Sequence, residues 1–251
     1  MNDMREAYDA AAPRWRRGPA QIYRRLADAL LDRSPVDLDG TTVLDVGGGT
    51  GVGAEAALAR GAARGVVTDL ALGMLEGTAR PAVVADAASL PFDDDSFDLT
   101  VEAFLLAHLP DPVRALSEAR RVSTALVASA FAADWAHPAR EIVDEVMTQF
   151  GFETPRWYAA TKASTRVNSE SGLAALARAA GWRDVTVHRS DVDVKVDTPA
   201  AMVRWRCGMA HVSPWLDRQP PDLQEAAQRR AEEAVAGLPP VVVPMLALSA
   251  R

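Results

Sequence analysis

Three acidic side chains lie at or near the ends of three successive apolar runs, and this spacing indicates which ligands the chain could hold. Asp45 and Asp69 close two runs rich in β-branched residues, and Asp86 follows a third. Because the carboxyl ends of parallel strands meet at one sheet edge, we expect the three carboxylates to face one ligand. They suit a cation, ribose hydroxyls and an exocyclic amine better than a diphosphate. The simpler interpretation, in which each acid caps a following helix, leaves the neighbouring glycines unexplained.

A run of glycines at 47–51 separates the first acid from an alanine-rich segment. Glycine allows the backbone to turn tightly and a ligand to approach it, and the helix that follows points free N–H groups at that ligand. The spacing Gly49-x-Gly51-x-x-Ala54 also fits a dinucleotide-binding loop, so an NAD-dependent oxidoreductase is the alternative prediction. Asp45 favours a cationic ligand at the position where that loop would hold a pyrophosphate.

The elements that position these residues alternate regularly along the first half of the chain. An amphipathic helix is predicted at 14–31, ahead of the alternation. The predicted strands are 41–46, 65–68, 82–85, 97–103 and 124–131, and the predicted helices between them are 51–60, 70–78 and 112–121. Strands that alternate with helices in this way predict right-handed βαβ units and a parallel sheet covered on both faces.

The alternation changes after residue 131. The pattern predicts a helix at 138–150, an aromatic-rich loop to 166, a helix at 169–180, a long strand at 184–196, helices through 198–237 and a strand at 241–249. We therefore expect an N-terminal helical cap (1–40), a cofactor-binding core (41–132), a cap insertion (133–168) and a C-terminal part of the core (169–251). That last part carries a helical insertion at about 198–238.

Four segments in this order resemble the motifs of class I S-adenosylmethionine-dependent methyltransferases, specifically the small-molecule group similar to the ubiquinone and menaquinone C-methylases. The segments are VLDVGGGTG (43–51), TDLALGML (68–75), ADAASLPF (85–92) and the block from Phe97-Asp98 to His108-Leu109-Pro110-Asp111-Pro112. The resemblance implies an α/β fold with a Rossmann-like seven-stranded sheet, mostly parallel with an antiparallel last strand, helices on both faces and helical cap insertions. It also implies S-adenosyl-L-methionine as cofactor and S-adenosyl-L-homocysteine as product.

Carried over to this sequence, the resemblance assigns the three acids to different parts of the cofactor. Asp45 would lie near the ammonium group, Asp69 would hold the ribose hydroxyls, and Asp86 with the N–H of Ala87 would contact the adenine edge. The other implied cofactor contacts are the N-terminal Tyr8, the turn glycines Gly47, Gly49 and Gly51, the adenine-packing Leu70 and Met74, and Ala103, Phe104 and His108 after the fourth strand.

Histidines and tryptophans of the later segments are the candidates for acting on the acceptor. His137 directly follows the fifth predicted strand and is our first candidate for a general base, with His211 as the next. The alternative for His137 is a helix-capping residue. Tryptophans outside the alternating core either pack a cap against the core or line an apolar pocket. We expect Trp135, Trp157 and Trp205 to bind the acceptor. No metal site is predicted.

Composition limits the classes of function that remain. The net charge of −7 argues against a nucleic-acid partner, and no apolar stretch predicts a membrane span or a secretory signal. We expect a cytoplasmic monomer or homodimer. Its expected activity is O- or C-methylation of a small apolar or aromatic acceptor, such as a secondary metabolite or a quinone-like compound. A protein that keeps the cofactor pocket without methyl transfer, for example a cyclase, is a further alternative.

Overall fold

The computed structural model of the protein describes residues 2–163 and 166–251. Within them one sheet has seven strands, in the order β3-β2-β1-β4-β5-β7-β6. The strands are β1 (Thr42–Val46), β2 (Arg64–Asp69), β3 (Ala82–Val84), β4 (Leu99–Ala103), β5 (Leu126–Phe131), β6 (Thr186–Asp193) and β7 (Val242–Ala250). β1 to β5 are parallel to one another, while β7 is antiparallel to both β5 and β6. This confirms the predicted mostly parallel sheet with an antiparallel last strand.

Apolar layers on both faces explain why the central strands are continuous apolar runs. Successive side chains of a strand point to opposite faces. In β1, Val43 packs into one buried cluster and Leu44 into another, and neither is exposed to solvent. A central parallel strand therefore has no polar face.

Eleven α-helices of the described residues surround the sheet. They are α1 (Asn2–Arg17), α2 (Pro19–Leu31), α3 (Val52–Leu58), α4 (Leu72–Leu75), α5 (Pro112–Val122), α6 (Pro138–Gln149), α7 (Arg156–Ala163), α8 (Glu170–Ala179), α9 (Pro199–Cys207), α10 (Ser213–Leu216) and α11 (Pro221–Ala234). Side-chain oxygens of Asp111, Ser169 and Thr198 accept backbone N–H groups at the starts of α5, α8 and α9. Such caps satisfy donors that a helix leaves free at its first turn. No helix in these ranges is both long and apolar enough to cross a bilayer.

The N-terminal segment differs from the single helix predicted at 14–31. Helical structure begins at Asn2, and the chain breaks at Gly18 between α1 and α2. A Cβ at Gly18 would lie 2.6 Å from the carbonyl oxygen of Arg204, so the glycine permits close contact with α9. Pro19 then starts α2 with a φ angle that suits a first helical turn.

Two predicted elements are shorter in the structure. The helix predicted at 70–78 contracts to α4, since Gly77 has a φ of 81° and the chain turns away. The strand predicted at 184–196 ends at Asp193 because Lys195 adopts a φ of 57°. Val194 and Val196 nevertheless remain in the core, so the apolar alternation indicated burial beyond the strand itself.

Helices outside the alternating core pack on one another. α6, α9 and α11 contact each other, and α1 packs against α2, α4 and α10. The division into 1–40, 41–132, 133–168 and 169–251 stays a prediction.

Candidate active site

Two cavities adjoin one another at the carboxyl ends of the parallel strands. The first is lined mainly by residues that follow β1 to β4, and we call it the acidic cavity because Asp45, Asp69 and Asp86 lie on its wall. The second lies beside the end of β5 and is called the aromatic cavity. Both are open to solvent. Their shared wall consists of Tyr8, Tyr23, Phe104 and His108.

The glycine turn of the acidic cavity wraps around one buried carboxylate. Gly47 and Gly49 have φ angles of 62° and 54°, a region that L-residues with side chains rarely adopt. A Cβ on Gly48 would lie 2.4 Å from Cγ of Asp45, and one on Gly53 would lie 2.7 Å from its Oδ1. The turn can therefore close over Asp45 only if these positions lack side chains.

Asp45 is buried with half of its hydrogen-bonding capacity unused. Its Oδ2 accepts the N–H of Ala54 at 2.9 Å, whereas Oδ1 has no hydrogen-bond partner among the described residues. Burial raises the pKa of Asp45 to about 7, although the backbone bond from Ala54 lowers it in part. A cationic group in the cavity would favour the ionised form and use the free oxygen.

Asp69 connects the glycine turn to the end of β2. Its two oxygens accept the N–H groups of Gly49 at 3.0 Å and Ala71 at 2.9 Å. Burial raises its pKa above the ordinary range, and those two bonds offset part of the rise. Asp86 is exposed, accepts the N–H of Ala88 at 2.9 Å and also lines the cavity. Both acids have lone pairs left that could accept hydroxyl or amine donors.

The shared wall is built from the N-terminal helices and the segment after β4. Oη of Tyr8 lies 3.4 Å from Nε2 of His108, and the tyrosine ring packs edge-on against Trp15. Burial lowers the pKa of His108 to about 4, so the ring is neutral at pH 7. Its Nδ1 has no partner among the described residues. Phe104 adopts a φ of 57° and its N–H donates to Ser129, which turns the ring between the cavities.

Aromatic side chains dominate the second cavity. Trp135, Trp157 and Trp205, which were predicted to bind the acceptor, all lie on its wall. Trp135 stacks on Phe131 with 6.1 Å between ring centroids and lies 6.4 Å from Trp205. Trp157 lies 6.2 Å from Tyr8 of the shared wall. These rings form an apolar surface next to the cofactor side.

A buried ionic cluster lies at the far side of the aromatic cavity. Nη2 of Arg206 donates to both oxygens of Asp144, at 2.8 and 2.7 Å, and lies 2.9 Å from Nε2 of His211. Tyr158 stacks on His211 with 3.7 Å between ring centroids. Burial alone would raise the pKa of Asp144, but the bond from His211 and the charge of Arg206 outweigh it and lower the pKa to about 2. Asp144 is therefore ionised at neutral pH.

His137 lies away from both cavities, unlike our expectation for a base. Its Nδ1 accepts the N–H of Ala139 at 3.2 Å and caps α6, and its Nε2 lies 3.1 Å from the carbonyl oxygen of Pro239. The carbonyl can only accept, so Nε2 carries the proton and both ring nitrogens are occupied. The helix-capping alternative describes this geometry. The second base candidate, His211, does line the aromatic cavity.

Two expected cofactor contacts lie behind the wall of the acidic cavity. A Cβ at Gly49 would meet Cε of Met74 at 2.9 Å, so Met74 supports the turn from beneath. Gly51 starts α3 with a φ of 83° and faces Thr78. The other expected cofactor residues all line the cavity: Tyr8, Asp45, Gly47, Gly49, Asp69, Leu70, Asp86, Ala87, Ala103, Phe104 and His108.

Sequence reasoning missed several wall residues. Trp15 follows Tyr8 by seven residues on α1, a spacing that places both rings on one face of that helix, whereas Tyr23 lies on α2. Gly48 and Gly53 line the acidic cavity and were not singled out, although Gly48 is part of the glycine run. Arg206 and Tyr158 of the aromatic cavity had no local signal of comparable strength.

The part of the chain that lines the acidic cavity is similar in sequence to known methyltransferases. Residues 44–125 match a family model described as a methyltransferase domain. A demethylmenaquinone methyltransferase of Clavibacter sepedonicus is 36% identical over 130 residues, which is 49% of this chain and 51% of the relative. These matches support a class I S-adenosylmethionine-dependent methyltransferase.

Other similarities cover more of the chain or of its fold. A malonyl-[acyl-carrier protein] O-methyltransferase of Halorhodospira halophila is 35% identical over 159 residues, covering 58% of this chain and 54% of the relative. The chain thus spans about half the length of the curated relatives it matches. The solved complex of the Haloferax volcanii Trm112 methyltransferase activator with a methyltransferase aligns over 98% of this chain and 96% of the matched chain. Its TM-score is 0.59 at 21% identity, so it shares the methyltransferase fold.

Proposed function

We propose that this methyltransferase moves the methyl group of S-adenosyl-L-methionine to a small apolar or aromatic acceptor held in the aromatic cavity. The observation that carries the proposal is the wall of Tyr8, Tyr23, Phe104 and His108, which borders both cavities. A cofactor on one side and an acceptor on the other would meet at this wall.

The acidic cavity fits the cofactor. The free Oδ1 of Asp45 suits its ammonium group, and Asp69 lies where it could accept the ribose hydroxyls. Asp86 and the N–H of Ala87 would contact the adenine edge, and Leu70 would pack on its face. When bound, the cofactor supplies a methyl group already activated by a sulfonium charge, which leaves mainly alignment and exclusion of water to the protein.

The aromatic cavity is suited to aligning an acceptor with the cofactor. Rigid rings such as Trp135 and Trp157 can fix the plane of an acceptor, and Phe104 and Tyr8 limit its approach to the cofactor side. Holding two reactants in line can remove about 7–11 kcal/mol of a barrier. A methyltransferase built this way works even if no residue exchanges a proton.

If the acceptor is a neutral hydroxyl, His211 is the base that we propose in place of His137. His211 lines the aromatic cavity, and its Nε2 lies 2.9 Å from Nη2 of Arg206. Oδ2 of Asp144 lies 3.5 Å from the same nitrogen and would offset the charge of a protonated ring. His137 lines neither cavity, and both its nitrogens are in hydrogen bonds to the backbone.

The relatives support a quinone-like or carboxyl-bearing acceptor without selecting between them. One is named for demethylmenaquinone and the other for O-methylation of a malonyl group on acyl-carrier protein. We propose O- or C-methylation, a role in secondary metabolism, a cytoplasmic location and a monomeric or homodimeric state.

Two measurements test this proposal. Calorimetric titration should show binding of S-adenosylhomocysteine and no comparable binding of NAD. Incubation with methyl-labelled S-adenosylmethionine and a small-molecule extract should label a product, and His211→Gln should slow labelling by about 10²–10⁴-fold if it acts as base. The matched variant His137→Gln should leave the rate per folded molecule nearly unchanged. Binding of NAD in preference to S-adenosylhomocysteine would overturn the proposal.

A further inference from the structure

The two cavities carry charge of opposite sign. The acidic cavity has three carboxylates and one cation, Arg5, on its wall. The aromatic cavity has Arg140 and Arg206 on its wall, and none of the described residues that line it is an aspartate or glutamate. An acceptor in the aromatic cavity therefore meets cations and not acids.

Arg206 is a cation that the fold places almost completely out of water. Only 1% of the residue is exposed, and its contacts to Asp144, His211 and Tyr158 are all made by Nη2. Its Nε has no hydrogen-bond partner among the residues that the structure describes. A buried donor without a partner costs free energy, and an anionic oxygen that contacted Nε from the cavity would recover it.

Arg140 adds a second cation on the same wall. Its Nη1 donates to the carbonyl oxygen of Trp135 at 2.9 Å, and its guanidinium lies 5.1 Å from the ring centroid of that tryptophan. No carboxylate of the described chain lies within 4 Å of it. Asp144 balances one of the two arginines, so one positive charge remains next to the aromatic rings.

We propose that the aromatic cavity selects acceptors that carry a carboxylate on an aromatic or apolar body, with Arg206 and Arg140 binding the carboxylate. A carboxylate matches a permanent cation better than a phenol does, because a carboxylic acid is ionised throughout the neutral range whereas a phenol ionises near pH 10. This inference rests on the proposed function, in which the aromatic cavity holds the acceptor.

The test uses matched pairs of small ligands that differ in charge. Wild-type protein saturated with S-adenosylhomocysteine is titrated by calorimetry with benzoate, 2-naphthoate and 4-phenylbutyrate, and with the corresponding carboxamides. We expect the carboxylates to bind at least about tenfold more tightly, as for hydrogen bonds to a charged partner. Equal affinities within the pairs, tighter binding of the amides, or no binding by any carboxylate would overturn the inference.

Variants of the two cavity arginines test whether they cause the preference for carboxylates. Arg206→Met and Arg140→Gln should each remove most of the carboxylate preference, and Arg206→Lys should restore part of it. The matched control is Arg204→Gln, because Arg204 lies on the same helix but is exposed and outside the cavity. If Arg206→Met does not fold, Arg140→Gln still decides the outcome, since Arg140 is half-buried. A preference that persists in Arg140→Gln at the level of the Arg204→Gln control would contradict the assignment.

Failure of this inference is distinguishable from failure of the proposed function. If S-adenosylhomocysteine does not bind, the proposed function is wrong. If it binds and the carboxylates show no preference, the acceptor cavity is not selective for anions and only the present inference fails.

Discussion

The acidic and aromatic cavities share a wall but are built by different means. The acidic cavity is shaped by backbone: the glycine turn, the ends of β1 to β3 and carboxylates that accept nearby N–H groups. The aromatic cavity is shaped by side chains of helices distant in sequence, such as Trp157 of α7 and Arg206 of α9. Geometry set by a sheet edge suits a fixed cofactor, and geometry set by side chains can change with the acceptor.

The two cavities also differ in the interactions that stabilise them. Acids of the acidic cavity are held by hydrogen bonds to backbone groups, which remain when one acid is removed. The aromatic cavity depends on an ion pair between Arg206 and Asp144, in which removal of one partner leaves a buried charge. Breaking the ion pair of the aromatic cavity should therefore lower stability, whereas removing an acid of the acidic cavity should lower cofactor affinity.

The largest effect should come from breaking the ion pair behind the aromatic cavity. Asp144→Ala leaves the guanidinium of Arg206 buried and unpaired, and we expect a loss of about 3–5 kcal/mol in the free energy of unfolding. Asp144 is itself 18% exposed, which favours the lower end of that range. Urea denaturation followed by circular dichroism measures the loss.

Two further variants make this test specific. Glu141→Ala, on the exposed side of the same helix, should change the free energy of unfolding by less than about 0.5 kcal/mol. The double variant Asp144→Leu with Arg206→Leu should be more stable than Asp144→Ala, because no buried charge remains. If Asp144→Ala is as stable as Glu141→Ala, the ion pair does not stabilise this part of the fold.

A smaller effect, on cofactor affinity, is expected in the acidic cavity. Asp69→Ala removes a charge-assisted hydrogen bond to the ribose and should weaken S-adenosylhomocysteine binding by about 1.5–3 kcal/mol. Because Asp69 also accepts the N–H groups of Gly49 and Ala71, Asp69→Asn serves as the milder variant. Asp93→Ala, in an exposed turn, is the control, and calorimetry measures all three. Unchanged affinity in Asp69→Ala would remove this assignment.

The same contrast explains how much of the molecule could be predicted from sequence. The sheet and the acidic cavity follow from local patterns, since Asp45, the glycines and Asp69 take their positions directly from the strands that precede them. Met74 was predicted to pack on the adenine; its Cε lies under Gly49 and the residue does not line the acidic cavity, so this contact stays a prediction.

The aromatic cavity was predictable only in composition. Tryptophans outside the core indicated an apolar pocket, but no local pattern pairs Arg206 with Asp144, 62 residues earlier in the chain. The contacts of His137 were likewise not indicated by the local sequence. Its position after β5 suggested access to the acceptor, whereas the local geometry of a helix start and a distant carbonyl of Pro239 occupy its ring.

A third prediction concerns the charge state of the acidic cavity. Burial raises the pKa of Asp45 to about 7, so the carboxyl is mostly protonated at pH 6 and mostly ionised at pH 8. The ionised form attracts an ammonium group, and affinity for S-adenosylhomocysteine should therefore rise with pH across this window, by about tenfold at most. Asp45→Asn should remove the rise. Calorimetry with 5′-methylthioadenosine, which lacks the ammonium group, provides the control and should give a flat profile. A rise of equal size for both ligands would place the ammonium elsewhere.

The smallest effect, a partial change in fluorescence, tests whether the two cavities bind separate ligands. Trp15 lines the acidic cavity, whereas Trp135, Trp157 and Trp205 line the aromatic one. With S-adenosylhomocysteine bound, the nitroaromatic quencher 4-nitrobenzoate should reduce tryptophan emission, because its ring would lie against those three indoles. Trp135→Phe should lose part of this quenching. Trp182→Phe should keep it, since Trp182 is buried elsewhere and donates to the carbonyl oxygen of Leu116 at 2.9 Å. Quenching that is abolished by S-adenosylhomocysteine would mean that the probe enters the acidic cavity instead, and the separation of the two cavities by ligand would fail.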